Sequence, residues 1–86
     1  MYELCETIKM RQKRYYEYII FIIIEYERGK PELLKRFINH VYMLNNKINV
    51  IFEDICDFDI LVDGFNNKNI DKLLYLKYKY LENEYK

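Results

Sequence analysis

The run YYEYIIFIII, residues 15–24, constrains the fold more than any other part of the chain. A single charge, that of Glu17, interrupts it, and only seven residues separate Glu17 from Glu25. A membrane-spanning helix needs about 20 apolar residues, so this run is too short to cross a bilayer. A helix that is apolar on all sides must be buried on all sides. The run therefore predicts a helix enclosed in a helical bundle.

The burial of this helix also predicts self-association. The other segments of the chain have polar faces of their own, so one copy is expected to cover only part of the apolar surface. We expect a second copy to complete the burial, which makes the protein a homodimer. The residues expected at that interface are Ile19, Ile20, Ile23 and Ile24.

Glycine and proline divide the chain into three helical segments. Gly29 stands where a helix C-terminal glycine is expected, and Pro31 suits the first turn of the next helix. Because this connection is short, the first two helices are expected to form a long antiparallel hairpin. The predicted fold is all-α, with a third helix packed on that hairpin. The segments are residues 2–28, 31–63 and 69–85 of a single domain, residues 1–86.

The middle segment repeats apolar residues at alternating spacings of three and four. This repeat predicts one helix over 31–63 with a coiled-coil-like seam. The alternative is a break between residues 45 and 60, because FDILVD alternates like a short strand. The seam residues are Leu34, Val41, Ile48, Ile55 and Val62 at heptad position a, and Phe37, Leu44, Ile51, Phe58 and Phe65 at position d.

The composition argues against an enzyme. The chain has no serine and a single histidine, so a nucleophile would have to be Cys5 or Cys56 beside His40. On one continuous helix His40 and Cys56 lie roughly 24 Å apart, at 1.5 Å per residue. Two distant cysteines also give no disulfide framework. We expect no catalytic residues, no cofactor and no metal site.

An acidic block is the first candidate for function. Residues 48–67 carry five acidic side chains and no basic one, although the net charge of the chain is zero. Carboxylates along a helix can bind the Lys and Arg residues of a partner, as the phosphates of DNA do. The alternative interpretation is a solvated helix face without a partner. The block consists of Glu53, Asp54, Asp57, Asp59 and Asp63.

Two basic clusters with interleaved tyrosines give the alternative function, nucleic-acid binding by a helical dimer. Lys and Arg would bind phosphates while tyrosine rings stack on bases. The competing explanation is that the tyrosines pack in the bundle and the lysine stems lie around them. The clusters are KMRQKRYYEY and YLKYKY, and their contact residues would be Lys9, Lys13, Arg14, Lys77 and Lys79.

The codon preference behind the composition suggests an origin. Ile, Lys, Asn and Tyr supply 40 residues, whereas Ala, Gly, Pro and Arg supply seven, which indicates an AT-rich genome. The hypothesis is a small phage, viral or mobile-element protein of the host cytoplasm. It would act through its acidic block as a modulator or inhibitor of a host nucleic-acid enzyme, in the manner of an anti-defence or anti-CRISPR protein.

Overall fold

The computed structural model describes residues 8–44 and 48–84, with side chains for residues 13–44, 48 and 50–83. All regular secondary structure in this part of the chain is helical, which confirms the predicted all-α class. The helices are α1 Ile8–Glu27, α2 Glu32–Leu44, α3 Ile48–Ile51, α4 Ile55–Asn66 and α5 Ile70–Glu84.

Helix α1 ends in a Schellman motif at the glycine. The Lys30 N–H donates to the Glu25 carbonyl at 2.9 Å, and the Gly29 N–H donates to the Tyr26 carbonyl at 3.0 Å. Gly29 has a φ of 86°, a left-handed conformation that glycine adopts at little cost. This turn directs the chain back along α1 and places α2 against it.

The single helix expected over 31–63 does not form. The chain leaves helical geometry at residues 52–54, inside the interval of the alternative interpretation, and α3 is a single turn. Phe52 lies outside the heptad seam but is buried, with ring centroids 6.0 Å from Phe37 and 5.6 Å from Phe58. Ile55 occupies a seam position but is 67% exposed. At this break Phe52 therefore enters the core, and Ile55 lies at the surface.

Helix α1 lies at the centre of the fold. It packs chiefly against α5 and also contacts α2 and α3, while α4 packs against α5. These neighbours bury Ile19, Ile22 and Ile23 completely within one chain. Helices of the same chain therefore enclose most of the apolar run, whereas Tyr18, Phe21 and Ile24 stay exposed.

The connection between α4 and α5 is a tight turn that brings the two helices close together. Helix α4 ends in a second Schellman motif, in which the Asn69 N–H donates to the Gly64 carbonyl at 2.9 Å. Lys68 holds the left-handed position with a φ of 52°. A Cβ on Gly64 would come within 2.9 Å of the Leu73 side chain, so glycine allows α4 and α5 to approach closely.

Candidate functional site

Asp57 lies at the centre of the acidic block but inside the protein. Only 1% of the residue is exposed. Its carboxylate accepts a 2.7 Å hydrogen bond from the Tyr80 hydroxyl and lies 3.0 Å from the Lys79 ammonium. A buried charge is tolerated only when it is paired and hydrogen-bonded. Asp57 therefore holds α4 to α5, and a partner protein cannot reach it.

Tyr80 connects this carboxylate to the interruption between α3 and α4. Its hydroxyl accepts a 3.0 Å hydrogen bond from the backbone N–H of Glu53, a group that the helix break leaves without an intrahelical partner. The residue is fully buried. Burial raises the pKa of Tyr80, and the hydrogen bond to Asp57 raises that pKa further. The protonated phenol is thus the form that the site stabilises.

Lys79 bridges two carboxylates of the block. Its ammonium lies 2.9 Å from Asp54 and 3.0 Å from Asp57. Partial burial acts to lower the pKa of Lys79, but the hydrogen bonds to the two carboxylates outweigh it and the pKa is raised. This lysine was a candidate for nucleic-acid binding, but in the structure its ammonium contacts these two carboxylates.

Tyr16 packs beside the same cluster. Its ring centroid lies 4.6 Å from that of Tyr80, with the ring planes tilted by 53°. Burial raises the pKa of Tyr16, and the nearby carboxylates of Glu53 and Asp57 raise it further. The cluster thus joins α1, α4 and α5 through one aromatic pair and one ion pair.

The other members of the acidic block lie nearer to the surface. Glu53 accepts a hydrogen bond from the Asn83 amide. Asp63 pairs with Lys72, and the hydrogen bond from Lys72 lowers the pKa of Asp63. Asp59 is exposed and forms no ion pair within the part of the chain that the structure describes.

The solvent side of α4 also carries apolar side chains. Ile55 is 67% exposed between the carboxylates that precede it and Asp59, which lies one turn further on. Tyr42, at the C-terminal end of α2, is exposed and packs edge-on against Phe58 with a centroid distance of 5.2 Å. Its neighbour Met43 is 82% exposed. We call the following residues the acidic–apolar patch: Tyr42, Glu53, Asp54, Ile55 and Asp59.

The two basic clusters have different surroundings. Lys77 pairs with Glu27 at 2.9 Å, so both lysines of the α5 cluster contact carboxylates. Lys13 and Arg14 are exposed on α1. Lys9 lies in α1, but its side chain falls outside the described residues. Only the α1 cluster retains basic groups at the surface.

The residues expected at a dimer interface are mostly covered by their own chain. Ile19 and Ile23 are fully buried and Ile20 is nearly so, whereas Ile24 is 40% exposed. The exposed apolar surface of α1 consists of Tyr18, Phe21 and Ile24. Dimer formation stays a prediction, and Phe21 and Ile24 are the exposed residues of this edge available for it.

The candidate catalytic residues His40 and Cys56 lie on two different helices, α2 and α4. His40 and Cys56 are both exposed and share no hydrogen bond within the described chain. The described residues include no group of three His, Cys, Asp or Glu side chains that could hold a metal ion. They also include no helix with the length and apolarity that crossing a bilayer requires.

No family model matches the chain, and searches of curated proteins and of solved structures return no significant match. A functional proposal for this protein therefore depends on the contacts and exposure of its own residues.

Proposed function

We propose that this chain is a non-enzymatic interaction protein that binds a basic partner protein through the acidic–apolar patch. The exposure of Ile55 among carboxylates is the observation that carries the proposal. Ile55 is the first residue of α4, and 67% of it faces solvent. Exposed apolar groups rimmed by charged residues are typical of protein interfaces.

The charges of the patch define the chemistry of the partner. Asp59 forms no ion pair with the described residues, and 64% of the Asp54 side chain is exposed although it pairs with Lys79. Lys and Arg residues around a small apolar depression would complement this surface. Such a basic surface is characteristic of proteins that bind nucleic acid, where the carboxylates would take the place of phosphates.

This partner chemistry supports the narrower hypothesis of an inhibitor. A protein that covers the basic surface of a nucleic-acid enzyme prevents its substrate from binding. The AT-rich coding and small size suit a phage, viral or mobile-element modulator that works in the cytoplasm of its host.

The test compares four forms of the protein, the wild type and three variants, as bait in extracts of bacteria with AT-rich genomes. Wild-type protein is expected to retain a basic protein that both Ile55→Ser and Asp59→Lys release, because they remove the apolar and the charged part of the patch. Glu17→Lys changes an exposed carboxylate on α1 by the same charge and should retain it. The purified partner should then lose its bound DNA when wild-type protein is added.

Two results would contradict the proposal. One is that no retained protein distinguishes the wild type from both patch variants. The other is that Glu17→Lys releases the partner as completely as Asp59→Lys does, because binding would then follow net charge and not the patch. Far-ultraviolet circular dichroism of each variant verifies that the helices are intact.

A further inference from the structure

A groove runs between α1 and α2, on residues that the acidic–apolar patch does not use. It is open to solvent and has a volume of about 710 Å³. Pockets that hold small ligands occupy about 300–1,000 Å³, so the groove is large enough for a nucleotide. The residues that line it are Arg14, Tyr15, Tyr18, Arg36, Phe37 and His40.

The polar groups of this groove favour an anion. Arg14 reaches it from α1, while Arg36 and His40 reach it from successive turns of α2. No acidic side chain of the described residues lines the groove, and Arg36 forms no ion pair within them. Guanidinium groups bind phosphate oxygens with two parallel hydrogen bonds. The groove therefore presents phosphate-binding groups from both of its walls.

The aromatic side chains of the groove add a second kind of contact. Tyr18 is 39% exposed and is held in place by Phe37, whose ring centroid lies 5.5 Å away in an edge-on arrangement. A second ring, that of Phe21, lies 6.2 Å from Tyr18. A fixed and partly exposed aromatic ring beside basic groups offers a stacking surface for a nucleobase.

We propose that the α1–α2 groove binds nucleotides, with a phosphate on Arg36 and a base on Tyr18. Because the groove is open to solvent, the favoured ligand is a nucleotide within a single strand, and a free nucleotide has the same chemistry. This site is independent of the partner-binding patch. It differs from the basic surface expected from the sequence, because Lys77 and Lys79 pair with carboxylates and Arg36 and His40 take their place.

The experiment measures fluorescence anisotropy of a labelled single-stranded oligodeoxythymidine titrated with the full chain. Arg36→Glu should weaken binding at least about tenfold, because it removes a phosphate contact and places a negative charge where the phosphate binds. Lys35→Glu is the matched control, because Lys35 is exposed on the same helix, carries the same charge and lies outside the groove. It should weaken binding clearly less than Arg36→Glu does, since Lys35 does not line the groove and makes no direct phosphate contact there.

A second pair of variants tests the stacking contact. Tyr18→Leu keeps an apolar side chain but removes the ring, and it should weaken binding about tenfold, as expected for the loss of one stacked base. Tyr78→Leu removes an exposed tyrosine of α5 and should leave the affinity unchanged. Circular dichroism of all four variants verifies the fold.

Competition identifies the source of the nucleotide. Displacement of the oligonucleotide by a nucleoside triphosphate, at concentrations where inorganic phosphate has no effect, would support the site and identify a free nucleotide as a ligand. Failure of the triphosphate to compete, with strand binding sensitive to Arg36→Glu, would support a strand as the ligand. The proposal is overturned if neither probe binds at low salt, or if Lys35→Glu and Arg36→Glu weaken binding equally.

Discussion

The Tyr80 hydroxyl donates a 2.7 Å hydrogen bond to the buried carboxylate of Asp57, and the two residues are 23 positions apart in the chain. Through the same oxygen Tyr80 also accepts the N–H of Glu53 at the break between α3 and α4. One phenol thus satisfies a buried charge and an interrupted helix. The hydroxyl of Tyr80 should therefore contribute to the stability of the bundle in addition to the packing of its ring.

Replacing Tyr80 with phenylalanine tests this dependence. The variant keeps the ring but removes one hydrogen bond from the Asp57 carboxylate, which retains Lys79, and leaves the Glu53 N–H without its partner. A buried polar group that loses its hydrogen bond costs about 1–3 kcal/mol, so Tyr80→Phe should lower the free energy of unfolding by at least that amount. Urea unfolding measures it. Tyr78→Phe, at an exposed tyrosine of the same helix, should change it by less than about 0.5 kcal/mol. Equal values for both variants would contradict a structural role for the hydroxyl.

The same cluster predicts a loss of stability in alkali. The pKa values of Tyr16, Lys79 and Tyr80 are all raised from ordinary values of 10.0 to 10.5. The folded protein therefore keeps protons that the unfolded chain releases. Their contribution is fully present below about pH 10 and is lost as the pH rises above it, by about 1.4 kcal/mol per pH unit for each group.

The measurement is the free energy of unfolding in urea at several pH values above 10. Wild-type protein should lose stability as the pH rises above 10, with about 1.4 kcal/mol per pH unit of that loss due to Tyr80. Tyr80→Phe should reduce the slope by about that amount, because it removes this phenol. A slope unchanged by that substitution would show that the buried phenol does not cause the alkaline loss.

A substitution at Lys68 should stabilise the protein. Lys68 has a φ of 52° in the Schellman motif after α4, and a residue with a side chain pays about 1 kcal/mol or more for that conformation. Lys68→Gly should therefore raise the free energy of unfolding by about 1 kcal/mol. The neighbouring Asn67 has a φ of −100°, so Asn67→Gly should destabilise by about 0.5–1 kcal/mol. Thermal unfolding shows whether each variant is more or less stable than the wild type. A stability change in the same direction for both variants would refute the explanation.

Light scattering on a sizing column tests the predicted homodimer. One chain has a mass of 10.8 kDa, and the wild-type protein is expected at twice that value. Phe21→Glu should return the mass to that of one chain, because it places a charge in the exposed apolar edge of α1. Asn39→Glu introduces the same charge at an exposed residue of α2 and is the control that should leave the dimer intact. A wild-type mass of 10.8 kDa would exclude the dimer under those conditions.

Sequence periodicity predicted the all-α class because long-range packing does not alter the preference of these segments for helix. The glycine and proline positions identified the turn at Gly29, because that one residue determines the backbone conformation there. The periodicity did not predict the break at residues 52–54, because the heptad repeat continues through that point. The local pattern also does not show which aromatic ring fills the core. Burial of Phe52 in place of Ile55 is a tertiary effect.

The candidate site was predictable only in part. The acidic block is plain in the sequence, but its division between buried Asp57 and exposed Asp59 follows from the direction of α4 after the break. One available signal was Tyr80, a polar side chain on the apolar stripe of α5, which requires a buried hydrogen-bond partner. The groove could not be found in this way, because Arg14 and Arg36 meet only when α1 and α2 pack side by side.

The packing of α1 against α5 determines when the protein can fold during synthesis. Ribosomes make α1 first and α5 last among the described helices, so the main partner of Ile19, Ile22 and Ile23 is absent until three other helices have been made. In that interval the isoleucines are available to chaperones and to other nascent chains, with the risk of aggregation that such exposure brings. A pause in translation ahead of α5 should therefore reduce the yield of folded protein.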